Sequence, residues 1–164
     1  MATIEVRVQR FSVISARPFD EVVGTLEAAI GRPEMGAFQR QLAAAQTIAD
    51  VEKVVQSAIG PSGLMEFIRF DIGAVLRAER GGKGPGILRL VVGNPLIMKK
   101  MVKSVPDGAS YAPLTILIDE RPDGVHLSYD SMASYLGPYG SEEAMRVARD
   151  LDAKVQRLLE AAAG

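Results

Sequence analysis

Apolar side chains follow two different spacings along the chain, and their alternation predicts interleaved strands and helices. Residues 4–14 place an apolar side chain at nearly every second position, as in a half-buried strand, and the alternation slips at residues 10–11, which indicates a bulge. Residues 20–30 instead repeat at the spacing of an amphipathic helix, and Asp20 is the expected N-cap of that helix.

Residues 33–60, called the helical insertion here, continue the helical spacing of apolar residues. Within it, Thr47 followed three residues later by Asp50 resembles a capping box, so we expect either two helices or one helix with a kink at this point. Residues 60–63, rich in glycine with one proline, are the clearest linker in the chain. The linker separates elements inside one domain, because the residues before it contain too little strand to form an independent core. The prediction is a single domain over residues 1–164.

The middle of the chain alternates strands with glycine-rich turns. Residues 64–70 predict a central strand, since both of their alternating faces are largely apolar. Residues 74–80 fit either a hairpin strand or a short helix, and the sequence does not decide between the two. The glycines of residues 81–86 lead into a strand rather than a helix, which favours a connector over a phosphate-binding loop. Residues 87–92 are apolar except for Arg89, as in a strand that is covered on both faces or lies near a sheet centre.

A sharp corner made of Gly93, Asn94 and Pro95 follows this strand and begins a short helix. Asn94 stands at the N-cap position, where its side-chain oxygen can accept a hydrogen bond from an amide of the first turn. Pro95 at the first helical position loses no bonded amide. The corner therefore joins an apolar strand directly to a helix.

The C-terminal part of the sequence predicts a hairpin and a long helix. Residues 114–118 and 125–129 flank a Pro-Asp-Gly turn, and Asp130 is the expected cap of a short helix. Ser141 is the expected N-cap of the last helix, and an apolar seam continues from there to the end of the chain. These elements predict an α+β fold, a mainly antiparallel sheet with helices packed on one face. Apolar residues on both sides of the strands indicate that a second copy, in a homodimer, covers the other face.

The composition excludes several classes of function. About half of the residues are apolar (48%) and the net charge is −1, so no basic surface for nucleic acid is expected. The N-terminal residues lack the apolar core of a signal peptide, and no stretch has the length and character of a membrane span. The chain has no cysteine, which fits a reducing compartment. We expect a cytoplasmic protein that contacts neither membrane nor nucleic acid.

Four short motifs, in this order and spacing, make the sequence resemble a known family. They are Gly93–Met98, Tyr111–Leu114, Leu127–Asp130 and Leu151–Lys154. Together they look like the bacterial domain-of-unknown-function 302 family, over about residues 62–160. The resemblance implies a compact α+β domain that is commonly a homodimer, with no agreed biochemical activity. The helical insertion is the part that the resemblance covers least.

Polar residues at the motif positions of that family form the candidate ligand-binding site. They are Asp71, Asn94, Tyr111, Tyr129 and Asp130. Asn94 and Asp130 each precede a predicted helix, so helix capping explains them as well. Asp71 follows an apolar strand and precedes no evident helix cap. A carboxylate in apolar surroundings can have a raised pKa and act as an acid or base.

His126 is the only histidine, and its place in the strand alternation predicts a solvent-facing side chain. No group of histidine, aspartate and glutamate has the spacing of a metal site. His126 with Met98 or Met132 has the residue types that can ligate a haem iron, but methionines at helical spacing usually fill cores. A catalytic triad is disfavoured, since no Gly-x-Ser-x-Gly motif occurs. We therefore expect no metal and no cofactor.

Three functions fit these observations. The first is a small-ligand-binding homodimer without catalysis, which the absence of a strong catalytic constellation favours. The second is a cofactor-independent enzyme that uses Asp71 or Asp130 as acid or base. The third is a protein-interaction module that binds its partner through the insertion or the terminal helix. The sequence assigns no catalytic residue.

Overall fold

Five antiparallel strands form one sheet in the computed structural model, which describes residues 1–164. The strands are β1 (Arg10–Ser15), β2 (Met65–Asp71), β3 (Ile87–Gly93), β4 (Leu114–Arg121) and β5 (Gly124–Asp130). Their order in the sheet is β1-β5-β4-β3-β2, so β4 lies at the centre and β1 and β2 form the edges. The predicted α+β fold is confirmed.

Seven α-helices connect and cover the strands. They are α1 (Phe19–Ala29), α2 (Met35–Ala44), α3 (Ile48–Ala58), α4 (Ile72–Glu79), α5 (Pro95–Ser104), α6 (Met132–Leu136) and α7 (Glu142–Ala163). Short 3-10 turns occupy Pro106–Ser110 and Gly137–Tyr139. No helix combines the length and the apolar character that crossing a membrane requires.

The main core lies between the sheet and the long helix α7. Every second residue of the central strands points into it, among them Leu90, Ile116 and Leu127, each at most 1% exposed. Helix α7 supplies its apolar seam, with Val155 completely buried, and α1 packs beside it through Leu26. Burying apolar surface on one side of each element is what drives these layers together.

The opposite surface of the sheet, called the open face here, is not covered by these helices. It carries the alternate residues of the strands, among them Ile14 (52% exposed), Ile68 (49% exposed) and Phe70 (45% exposed). Arg89 also lies on this face, between the buried Leu88 and Leu90. Strand β3 is therefore covered on one face only within a single chain.

Two strand predictions are wrong in instructive ways. Residues 64–70 form the edge strand β2 rather than a central strand, and their second apolar face is exposed. The N-terminal strand begins at Arg10 instead of residue 4, because β5, its only neighbour, ends at Asp130 and turns into α6. The predicted bulge at residues 10–11 is absent, since the pairing with β5 is regular there.

Helix caps follow the local sequence with two exceptions. The Thr47–Asp50 capping box is confirmed and separates α2 from α3. Pro18 rather than Asp20 is the N-cap of α1, and Asp20 lies in the first turn. Ser131 rather than Asp130 caps α6, because the Ser131 hydroxyl accepts the amide of Ser134. In both exceptions the cap lies within two residues of the predicted one.

Candidate functional site

A cavity of about 480 Å³ opens on the open face, between strands β3 to β5 and the turn before β4. This volume lies within the range of roughly 300–1,000 Å³ that small-molecule sites occupy. Charged and aromatic side chains line it, among them Arg10, Arg89, Tyr111, Asp130 and Tyr135. These side chains give the cavity its chemistry.

Arg10 and Asp130 form a two-bond ion pair at one side of the cavity. They face each other across the β1–β5 ladder, and the guanidinium donates from Nε to Oδ1 at 2.6 Å and from Nη2 to Oδ2 at 2.8 Å. The hydrogen bond from Arg10 lowers the pKa of Asp130 and raises the pKa of Arg10. Asp130 is therefore ionised at neutral pH and uses both oxygens on Arg10.

This ion pair predicts a small loss of stability in acid. The pKa of Asp130 is lower in the folded chain than its ordinary value of 3.8, so the pair contributes stability above that pH. The contribution is lost as the pH falls through the lowered folded pKa. Because the side chain of Arg10 is 63% exposed, we expect less than about 1 kcal/mol. Urea unfolding of the wild type and of Asp130→Asn should differ above pH 4 and converge below it. A difference that is independent of pH would contradict this assignment.

Arg89 brings a second positive charge to the cavity and has no carboxylate partner. Its guanidinium carbon lies 5.7 Å from the centre of the Phe70 ring, and Nη2 donates to the hydroxyl of Thr115 at 3.4 Å. A cation–π contact and one long hydrogen bond leave most of its donors free. Arg10, Arg89 and Asp130 together give the cavity one net positive charge.

Tyrosines form the aromatic wall of the cavity. The rings of Tyr111 and Tyr135 stack with centroids 4.7 Å apart, and the hydroxyls of Tyr111 and Tyr139 lie 2.8 Å apart. Burial, followed by the charge of Asp130, raises the pKa of Tyr135. The hydrogen bond with Tyr111 raises the pKa of Tyr139 to about 12. Tyr135 and Tyr139 are therefore neutral hydrogen-bonding groups at physiological pH.

The structure brings three of the five predicted site residues to this cavity. Tyr111 and Asp130 present their side chains to it. Tyr129 contributes to the lining, but its hydroxyl points to the helix side of the sheet, where it donates to Asp152. Asp71 and Asn94 lie outside the cavity.

Asp71 is the exposed N-cap of α4. One oxygen accepts the amide of Ala74 at 2.8 Å and the other accepts a hydrogen bond from Arg77 at 2.8 Å. The backbone hydrogen bond and then Arg77 lower its pKa, so the expectation of a raised pKa is wrong. The cap satisfies an amide at the start of α4, and residues 74–79 of the segment that the sequence left undecided are helical.

Asn94 has the predicted capping role and one further contact. Its side-chain oxygen accepts the amide of Leu96 at 2.9 Å, and its Nδ2 donates to the carbonyl of Gly63 at 2.9 Å. The residue is buried, so both hydrogen bonds replace contacts with water. Asn94 therefore fixes the start of α5 against the Gly60–Gly63 turn and is not available to a ligand in the cavity.

Asp152 is the buried carboxylate that the sequence analysis missed. It is 6% exposed and accepts hydrogen bonds from the hydroxyl of Ser131 at 2.6 Å, from the amides of Met132 at 2.8 Å and Ala133 at 3.1 Å, and from the hydroxyl of Tyr129. Burial, and then this carboxylate, raise the pKa of Tyr129 well above its ordinary range. The cluster joins α7 to the start of α6.

His126 is buried rather than solvent-facing. Its side chain lies on the open face opposite Asp119 of β4, and its Nε2 makes a 2.9 Å hydrogen bond with Asp123. Neighbouring side chains cover the ring, which strand alternation alone does not show. No group of three histidine, aspartate or glutamate side chains is placed to hold a metal ion.

The cavity residues that the sequence analysis missed are Arg10, Arg89 and Tyr135. Arg89 had a visible signal, since it is the one charge in an otherwise apolar strand. A charge at such a position lies on a face where it has a partner, water or a ligand. Arg10 and Tyr135 had no such signal in the sequence, because their partners lie far away in the sequence or on another element.

Comparisons with known proteins identify relatives by sequence and by fold. The sequence model of the family described as "Domain of unknown function DUF302" matches residues 40–162. A crystal structure of an uncharacterized conserved protein DUF302 from Bacillus stearothermophilus superposes with a TM-score of 0.64 at 12% sequence identity. The match covers 93% of this chain and 97% of that one, and it shows a shared fold. No curated protein matches the chain.

Proposed function

This chain belongs to the DUF302 family, and we propose that its open-face cavity binds a small anionic molecule without transforming it. The observation that carries the proposal is Arg89, a guanidinium without an ion-pair partner in a cavity of small-molecule size. Such a cation forms its strongest hydrogen bonds with a ligand that carries a carboxylate or phosphate group.

The second guanidinium supports the same ligand charge. Arg10 uses Nε and Nη2 on Asp130, which leaves Nη1 without a protein acceptor. Asp130 orients this side chain and offsets its charge, while Arg89 stays uncompensated. An anion between the two arginines would accept hydrogen bonds from the free donors of both, because a carboxylate or phosphate matches the planar donor fork of a guanidinium.

The aromatic wall supports a ligand with a flat or apolar part. Tyr111 and Tyr135 are held parallel to each other, with an interplanar angle of 11°. Hydroxyls of Thr115 and Ser128 lie on the sheet floor of the cavity and offer neutral donors and acceptors. The lining is mixed, with 6 hydrophobic residues among 13. In small-molecule sites polar groups set the orientation of the ligand and apolar surface excludes water.

Binding fits this geometry better than acid–base catalysis does. Both carboxylates considered as acid or base have lowered pKa values. The Ala74 amide and then Arg77 lower the pKa of Asp71, and Arg10 lowers the pKa of Asp130. A general base works best when its pKa is near the working pH. Asp71 also lies outside the cavity.

Two further parts of the proposal concern assembly and location. We propose a homodimer, because apolar side chains of the N-terminal residues, Ile4 and Val8 among them, stay exposed in a single chain. The proposed location is the cytoplasm, as the cysteine-free composition predicts, and cell fractionation tests it.

A thermal-shift screen tests the binding proposal. The library pairs small carboxylates and phosphates with their uncharged amide or alcohol counterparts, and we expect only acids to raise the melting temperature. Isothermal titration then measures the affinity, which should fall with added salt because the contact is ionic. A screen in which no acid binds, or in which the neutral counterparts bind equally well, contradicts the proposal. Turnover of a bound acid, followed by mass spectrometry, would replace binding with catalysis as the function.

A further inference from the structure

Residues 3–9, called the N-terminal arm here, have the pattern of a strand but no strand to pair with. Ile4, Val6 and Val8 alternate with polar residues, and Ile4 and Val8 are 57% and 43% exposed. Residues 1–8 make no backbone hydrogen bond in the structure. An extended segment with this pattern and free backbone groups is a template for pairing with another chain.

The arm cannot continue the sheet of its own chain, because its neighbour ends. Strand β1 pairs with β5 up to Arg10 and Asp130. Two more hydrogen bonds follow at Gln9, whose carbonyl accepts the amide of Ser131 and whose amide donates to the hydroxyl of Ser134. Helix α6 then begins at Met132, so no strand remains beside the arm. The arm leaves the edge of the sheet as an unpaired extension of β1.

We propose that this arm pairs antiparallel with the arm of a second copy, with Val6 on the two-fold axis. In this register Glu5 lies opposite Arg7 of the second copy, and Ile4 lies opposite its Val8. The charges are therefore self-complementary, as a two-fold symmetric contact requires. The arm pairing specifies the contact of the homodimer proposed above and is independent of the ligand site.

The pairing also sorts the side chains into two faces. Residues that lie directly opposite each other in an antiparallel pair point to the same side of the sheet. Ile4, Val6 and Val8 of both copies then form one apolar stripe, and Glu5 and Arg7 form two ion pairs on the other side. The joined arms would connect the two sheets end to end through their β1 strands and pair the free backbone groups of both arms.

The arm is a better contact between copies than the open face. Its charges match under a two-fold axis, whereas burying the open face against a second copy would bury the uncompensated charge of Arg89. Backbone hydrogen bonds supply part of the affinity in strand pairing. The affinity between two arms is therefore higher than their few side chains alone would give.

Charge reversal in the arm tests the proposal by light scattering at micromolar concentration. We expect a wild-type dimer, and Glu5→Arg or Arg7→Glu alone should weaken it by roughly tenfold or more, because like charges then face each other twice. Mixing the two single variants should restore a dimer, since each supplies the charges that the other lacks. The double variant E5R/R7E should also dimerise like the wild type.

Control variants distinguish the arm contact from a general effect of surface charge or a loss of folding. Glu52→Arg reverses an exposed charge on α3 and should leave the dimer unchanged. Circular dichroism should be the same for all variants, because the arm is outside the core. A wild-type monomer contradicts both the dimer and the arm pairing. A dimer that both single reversals leave intact contradicts the arm pairing alone, and binding of an acid to the cavity is measured separately from either outcome.

Discussion

Replacing Asp152 with alanine should lower the free energy of unfolding by about 3–5 kcal/mol, because several buried donors lose their acceptor and each one left unsatisfied costs about 1–3 kcal/mol. The buried carboxylate accepts four hydrogen bonds, two from hydroxyls and two from amides. Without it the hydroxyls of Tyr129 and Ser131 lose this acceptor, and the Met132 amide keeps only the Tyr129 hydroxyl. Buried donors left unsatisfied cost more than the net value of the hydrogen bonds. Urea unfolding followed by circular dichroism measures the change.

Two variants show whether the cluster itself carries this effect. Asp150→Ala removes an exposed carboxylate two residues away on the same helix and should change stability by less than about 0.5 kcal/mol. Tyr129→Phe removes one donor but leaves Asp152 with three others, so a loss of about 1–2 kcal/mol is expected. If Asp152→Ala unfolds like Asp150→Ala, the cluster does not hold α7 to α6.

Replacing Arg89 with glutamine should weaken binding of an acid found in the screen by about 10- to 100-fold, which corresponds to about 1.4–2.8 kcal/mol. Arg89 is the one cavity charge without a carboxylate partner, so its interaction free energy is available to a ligand. The fold should tolerate the change, because the side chain lies exposed on the open face. Isothermal titration of wild type and variant measures the ratio of dissociation constants.

Matched variants separate local recognition from general charge effects. Arg80→Gln removes an exposed arginine at the end of α4, outside the cavity, and should leave the affinity unchanged. Arg89→Lys keeps the charge but loses the planar donor fork, so it should bind with intermediate affinity. The neutral counterpart of the acid should bind wild type and Arg89→Gln equally weakly. Equal affinity of Arg89→Gln and wild type for the acid would place the ligand elsewhere.

Local signals predicted a good part of the fold. The capping box at Thr47, the cap at Asn94 and the cap at Ser141 all form as their sequences indicate. Each depends on hydrogen bonds between residues two or three positions apart, so the sequence contains both partners. The position of a strand within the sheet has no such local signal. Residues 64–70 are apolar on both faces yet form an edge, because edge or centre depends on which distant strands pair.

The candidate site was less predictable than the fold. Tyr111 and Asp130 were selected from family motifs, and they do line the cavity, whereas Asp71 and Asn94 were selected in the same way and cap helices. For Asp71 the sequence was ambiguous, because its cap exists only if residues 74–80 are helical. The aspartate of the Leu151–Lys154 motif was not singled out, although it is buried and accepts four hydrogen bonds.

The sequence by itself determined most of the elements, three of the five predicted caps and the α+β class, because these depend on spacing and on neighbours along the chain. Only the tertiary structure decided which charges are paired. Arg10 meets Asp130 and Asp152 meets Ser131 across long sequence separations, while Arg89 is left without a carboxylate. The free energy of a charge depends on what surrounds it in space, and that environment exists only after the strands have paired and α7 has covered one face of the sheet.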